Sequence, residues 1–167
     1  ETERHAVTLV KKIVYAKSRN TEFYAWFTLQ DYWDMDFEAD DSFGLVTSDN
    51  RPKPSFIAYN ELIRQLGNTG RGELLSGTGA LEVYRFVNDR EKREVLAIWP
   101  KVGGTRQVLP LEGEGEVKAA GLFGAVLPVE AGHGYAAIPV DGPVYVSYPQ
   151  GAFRIASAVA EQKQVTG

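Results

Sequence analysis

Ala6, Leu9, Val10, Ile13, Val14 and Ala16 recur at three- and four-residue intervals. That spacing predicts a helix over 3–19 with an apolar stripe about a third of its circumference wide. Thr2 is placed to cap it, Glu1 and Glu3 lie where the helix dipole favours anions, and Ser18-Arg19-Asn20 closes it. The next run, Glu22-Phe23-Tyr24-Ala25-Trp26-Phe27-Thr28-Leu29, is apolar on both faces. A strand of that kind needs cover on both sides, as the parallel strands of α/β folds have. Residues 30–50 then form a long acidic connection carrying Asp31, Asp34, Asp36, Glu38, Asp40 and Asp41. Most connections run to about 4–6 residues, so one this long is either functional or disordered. Its aromatics, Tyr32, Trp33, Phe37 and Phe43, argue against disorder. Phe56, Ile57, Tyr59, Leu62, Ile63 and Leu66 mark a second helix, with Pro54 in its first turn and Gly67 as its stop.

The pattern changes near residue 70. Most of the seventeen glycines lie beyond it, and no convincing amphipathic helix follows. Residues 68–80 read as a linker. Short β-like runs follow at 81–87, 94–99, 105–111, 115–119, 124–129, 134–138 and 143–148, separated by turn residues such as Asn88-Asp89, Gly103-Gly104 and Asp141-Gly142. Runs spaced by roughly 8–12 residues predict a small antiparallel sandwich over 81–149. The polar tail 150–167 is expected to be loosely ordered. A helix–strand–helix unit over 1–67 has no sheet partner of its own. It therefore expects further strands from a missing upstream segment, another copy of the chain, or the sandwich.

Composition narrows the classes. At 44% hydrophobic and 24% charged residues, the chain matches a globular protein of one domain or two small ones. No apolar run approaches the ~20 residues of a membrane-spanning helix, so no membrane partner is expected. Eighteen Lys and Arg against 22 Asp and Glu leave a charge of −4 and no basic patch, which disfavours nucleic acid. The absence of cysteine removes disulfides, thiol catalysis and thiolate metal sites. Two histidines, His5 and His133, are too few for an imidazole metal centre, and no cofactor is expected. The first residues lack an initiator Met and any apolar signal-peptide region, as expected for an internal piece of a longer chain.

The first 70 residues resemble the last turns of a retaining (β/α)8-barrel glycoside hydrolase, of the superfamily that includes cellulase-like and xylosidase-like enzymes. Three features carry the resemblance. Glu3-Arg4-His5-Ala6 opens a helix, Phe23-Tyr24-Ala25-Trp26-Phe27-Thr28-Leu29-Gln30-Asp31 matches a final barrel strand, and Phe43-Gly44-Leu45-Val46 precedes Asp49-Asn50-Arg51-Pro52-Lys53-Pro54 with Ala58-Tyr59 and Leu62 beyond. Val95-Leu96-Ala97-Ile98-Trp99, Gly124 and Gly142-Pro143-Val144-Tyr145-Val146 resemble the β-sandwich that commonly follows such a barrel. The expected fold is thus an α/β fragment, the end of a TIM barrel, followed by an all-β antiparallel sandwich. The resemblance implies that the acid/base and the nucleophile, about 5–5.5 Å apart in retaining enzymes, lie upstream. Glu1 abuts a helix with no strand before it and reads as a dipole-compensating residue. No catalytic residue is assigned here, and the chain alone is expected to be inactive.

The resemblance implies carbohydrate as the partner and Trp26 as an aromatic floor under a sugar ring; a core aromatic is the structural alternative. Asp31, Tyr32, Trp33 and Asp34 would rim the cleft, a carboxylate accepting sugar hydroxyls beside apolar rings; an ordinary capped loop is their alternative. The alternating acids from Asp34 to Asp40 fail the EF-hand pattern, because the sixth position is Ala39 instead of Gly. Glu112, Glu114 and Glu116 sit on a Gly-rich turn with nothing to bury them. His133 between two glycines reads as a turn residue, and His5 as surface-facing or partly packed. Trp99 with Tyr84, Tyr135, Tyr145 and Tyr148 is either a sugar platform or sandwich core, and its apolar run favours core. Two other functions fit the pattern: a non-catalytic carbohydrate-binding or surface β module, and a domain that oligomerises through its strand at 22–30.

Overall fold

The computed structural model describes residues 2–21, 24–26, 28–31 and 44–156. Helix α1 (Thr2–Ser18) and helix α2 (Pro54–Leu66) form where the three- and four-residue spacing places them. Pro54 opens α2, where a missing backbone N–H costs nothing. Gly67 follows its last turn with helical φ, and a Cβ there would stand 2.6 Å from the Ile63 carbonyl oxygen. Close approach, not a left-handed backbone, is what this glycine supplies.

Ten strands follow: β1 (Glu73–Leu74), β2 (Leu81–Asn88), β3 (Arg93–Pro100), β4 (Gln107–Gly113), β5 (Lys118–Gly121), β6 (Val126–Leu127), β7 (Glu130–Gly132), β8 (Tyr135–Val140), β9 (Val144–Pro149) and β10 (Phe153–Ile155). They form two antiparallel sheets, a six-stranded one in the order β1-β2-β3-β9-β5-β6 and a four-stranded one in the order β10-β4-β8-β7. The sheets pack face to face. Leu81, Val83, Leu96, Ile98 and Val146 of the larger meet Leu109, Leu111, Ile138 and Val140 of the smaller.

The outer face of the six-stranded sheet is covered as well. Ala6, Val10 and Val14 of α1, with Ala58, Leu62 and Leu66 of α2, pack on Tyr84, Phe86, Val95, Ala97, Trp99 and Tyr145. The result is three layers: helices, six strands, four strands. This explains why β3 reads apolar without alternation. Its residues are buried continuously over 94–100 because the strand is covered on both faces.

Three expectations meet a different arrangement. The apolar run at 22–29 forms no strand among its described residues; the one bridge there is a parallel pairing of Gln30 with Val46. Nor is it covered on both sides, since Tyr24, Ala25 and Leu29 are exposed. A strand needs neighbours to exchange backbone hydrogen bonds, and among the described residues only the short segment around Val46 pairs with this one. Within 68–80, β1 pairs with β2. Lys17 Nζ and Arg71 Nε also cross between α1 and this stretch, donating to the carbonyls of Thr69 at 2.9 Å and Ser18 at 3.0 Å. The segment is thereby stitched to both helix and sheet. In 150–167, β10 pairs with β4, and 157–167 lie outside the described residues.

Candidate functional site

The site candidates gather where the 24–31 segment, the 44–53 segment and the starts of both helices meet. Asp31 is the hinge of this arrangement. Its Oδ1 accepts a 2.8 Å hydrogen bond from the Gly44 amide, and its Oδ2 pairs with Lys53, the residue immediately before α2. Both side chains of the pair are largely buried, 15% exposed for Asp31 and 10% for Lys53. The Asp31 amide in turn donates to the Val46 carbonyl at 3.1 Å, and the Lys53 amide to the Leu45 carbonyl at 3.0 Å. Gly44 must be glycine here, because a Cβ would come within 2.5 Å of Asp31 Oδ1 and 2.8 Å of the Val46 oxygen. Gln30 Nε2 adds a 2.8 Å bond to the Ser48 carbonyl.

Trp26 lies half-buried against α1. The His5 ring stands 5.3 Å from the indole, tilted by 40°, and Lys12 Nζ lies 5.9 Å from the ring centroid. His5 and Lys12 share a helix face because they are seven residues, nearly two turns, apart. His5 is held below the ordinary imidazole pKa by burial first, then by the positive field of Lys53; Asp31 opposes the shift and Lys12 adds to it. The imidazole is therefore neutral at pH 7, and its buried Nε2 makes no hydrogen bond among the described residues. An aromatic face, a neutral imidazole, two ammonium groups and one carboxylate can together hold a polar ring compound by stacking and hydrogen bonds. Among the described residues no pair of carboxylates suited to acid/base work occurs in this cluster.

The structure thus brings Trp26 and Asp31 to one end of the helices. Tyr32, Trp33 and Asp34, and the acidic run that continues to Asp41, lie outside the described residues. Among the described residues no three His, Cys, Asp or Glu side chains are grouped to hold a metal ion, and no helix is long and apolar enough to cross a membrane. His133 is exposed in its turn. Glu112 pairs with Arg154 and Glu116 with Lys118 at the surface. Trp99 is only 3% exposed and packs beside Tyr84, so it offers no ring face to a ligand. His5, Lys12 and Lys53 carry no motif of their own. The signal for the first two was their seven-residue spacing on α1, at the edge of the apolar stripe beside Leu9 and Ala16.

No protein-family model and no curated protein sequence matches this chain. Among solved structures, it is similar to a family 39 glycoside hydrolase from Bacteroides cellulosilyticus WH2, with a TM-score of 0.68 and 19% identity over 87% of this chain. The chain spans 30% of the length of that enzyme. Weaker likenesses are to the catalytic domain of a GH30 xylanase C from Talaromyces cellulolyticus (TM-score 0.46, 13% identity, 64% of this chain and 27% of that one) and to an Anoxybacillus alpha-amylase (TM-score 0.47, 18% identity, 87% and 33%). The chain thus shares its fold, an antiparallel β-sandwich with two helices packed on it, with part of the family 39 enzyme.

Proposed function

We propose that this chain is the C-terminal part of a retaining glycoside hydrolase, contributing the last helix–strand–helix of a (β/α)8 barrel and a β-sandwich that braces it. One observation carries the reading. Among the described residues, the segment through Trp26 joins neither sheet, its one β-bridge being the parallel pairing of Gln30 with Val46, although its sequence is apolar on both faces. Parallel strands occur almost only where both faces are covered, so such a segment calls for neighbouring parallel strands. The fold shared with a family 39 enzyme over most of this chain, but under a third of that enzyme, supports the same reading.

On this reading hydrolysis needs an upstream carboxylate pair, and the residues here line and shape the cleft. Trp26 offers an indole to the C–H groups of a pyranose. Asp31 ties the segment after Trp26 to the start of α2 through Lys53 and Gly44, and Tyr32, Trp33 and Asp34 are proposed to rim the cleft. The sandwich clamps both helices through the outer face of its larger sheet.

The test is to express the reading frame extended upstream of Glu1 and assay it on a panel of aryl glycosides. The expected result is about 250 residues of barrel in all, hydrolysis with retention of anomeric configuration, and no activity from the 167-residue chain alone. Trp26→Ala in the extended protein should lower kcat/KM about tenfold or more, equivalent to ~1.4 kcal/mol of transition-state binding. An upstream region without strand-end carboxylates, or an extended protein inert on every glycoside, overturns the proposal.

A further inference from the structure

A second cleft lies on the far side of α2 from Trp26's neighbours, and its lining does not match the rest of the molecule. It has a volume of about 630 Å³, within the range of small-molecule sites. Arg64, Arg93 and Lys118 line it and no carboxylate does, although the chain carries four more negative than positive charges.

The strand register explains how these cations meet. Ser147 of β9 stands directly opposite both Val95 of β3 and Lys118 of β5, and Tyr145 opposite Ala97 and Ala120. Residues directly opposite share a face, and so do residues two apart on one strand. Arg93, Ser147, Lys118, Ala120 and Tyr145 therefore lie on the face that the helices cover. The helices pack on its Trp99 and Ala97 end. The cleft occupies the end they leave, walled by Arg64 and Gln65 of the last turn of α2.

One buried donor in this cleft is unsatisfied. The Tyr145 hydroxyl makes no hydrogen bond among the described residues, although its residue is 2% exposed. Arg93 Nε is already engaged, in an ion pair with Glu91 Oε2 at 2.6 Å. A buried donor without a partner costs about 1–3 kcal/mol. An acceptor-rich ligand would recover that cost. Counter-charges stand behind the cations: Glu61 holds Arg64, Glu91 holds Arg93 and Glu116 holds Lys118. The Glu61 carboxylate borders the lining at Gly124, where a Cβ would stand 2.9 Å from its Oε2. Arg93 and Tyr145 sit four residues apart in register, roughly 13 Å along the strand, which is about the reach of two linked sugar rings. Burial raises the Tyr145 pKa well above its ordinary value, with the charge on Glu61 adding to the shift, so the hydroxyl remains a donor.

We propose that this cleft binds an acidic saccharide of about two sugar units, its carboxylate or sulfate group held by Arg93 and Lys118 beside Ser147 and its far ring reaching the Tyr145 hydroxyl. Arg64 closes the side, and the apolar edge formed by Ala120 and Val126 meets the sugar's C–H faces. The choice of a saccharide over other organic anions rests on the glycoside-hydrolase reading.

Calorimetric titration of the full chain tests it, using a glucuronic-acid-terminated disaccharide, its neutral counterpart, inorganic sulfate and citrate. The acidic disaccharide should bind about tenfold tighter than each of the other three, and more weakly as salt is raised. Lys118→Ala, a change at an exposed side chain, and Arg93→Gln should each weaken binding about tenfold, and Tyr145→Phe several-fold. No binding, equal binding of the neutral disaccharide, sulfate or citrate, or affinity unchanged in Lys118→Ala and Arg93→Gln together, overturns the proposal. The titration reads binding without catalysis, so a failure here leaves the barrel reading to its own assay.

Discussion

At the scale of single residues, Asp31 and His5 are the side chains whose surroundings decide most. Asp31→Asn keeps the shape and still offers an oxygen to the Gly44 amide, but it removes the carboxylate charge paired with the buried Lys53 ammonium. Breaking a largely buried pair from one side should cost about 3 kcal/mol, measured by urea unfolding of the two proteins. His5 sets a pH dependence. Its pKa is lowered from 6.5 in the folded chain, so below that pH the unfolded chain binds more protons, and folding stability falls as pH drops from about 6.5 toward the folded value. Above 6.5 the imidazole is neutral in both states and contributes no slope. His5→Phe should flatten this limb of the stability–pH curve, read as urea midpoints between neutral and mildly acidic pH. A slope unchanged by His5→Phe would place the titrating group elsewhere. Asp31 stood out in the sequence because it ends an apolar run beside aromatics. Its partners did not, because Lys53 and Gly44 are joined to it only by the return of the chain.

At the scale of elements, periodicity was informative wherever a segment's own partners are in the chain. Both helices appear within a residue or so of where Ala6, Val10 and Val14, or Ala58, Leu62 and Leu66, align on one face. The short strands also follow their turn residues; Asn88, for example, caps the turn between β2 and β3 by accepting from the Glu91 amide at 3.0 Å. The continuous apolar runs were harder to read. Val95-Leu96-Ala97-Ile98-Trp99 and Phe23-Tyr24-Ala25-Trp26-Phe27 look alike as strings, yet the first is the doubly covered centre of a sheet and the described residues of the second, 24–26, form no strand. Short pairings such as β1 with β2 and β10 with β4 were equally illegible, since two or three residues carry too little period to register. The central position of β3 makes a direct prediction. Ile98 is fully buried between the sheets, so Ile98→Ala should cost about 2–5 kcal/mol, seen as a lowered thermal and denaturant midpoint.

At the scale of the whole molecule, three layers share one sheet. The six-stranded sheet serves both the sandwich core and the helix roof, so the helices and the β-region should unfold together. Probes of helix content and of the Trp99 environment should then give coincident denaturation curves; separate transitions would mean that the helices dock loosely. The surface tells the complementary story. Tyr24, Leu29, Ile57 and Ile63 are large apolar side chains left 40–63% exposed, and on the proposed reading barrel strands and helices would cover them. The chain alone should therefore self-associate with rising concentration in size-exclusion chromatography. Leu29→Asp should reduce that association, and the upstream-extended protein should run as a monomer. A clean monomer of the 167-residue chain at every concentration would count against a missing barrel and against pairing of copies alike.

The amino-acid order alone determined the two helices and their apolar faces, the succession of short strands, and the need of the Trp26 segment for cover, because each depends on neighbours a few residues apart. Tertiary structure decided that the helices roof the larger sheet, that His5, Trp26, Asp31 and Lys53 meet, and that Arg93, Lys118 and Tyr145 open on one cleft. Those meetings join residues tens of positions apart. They follow from sheet register and from which faces must be buried together, and neither is written in the period of any single segment.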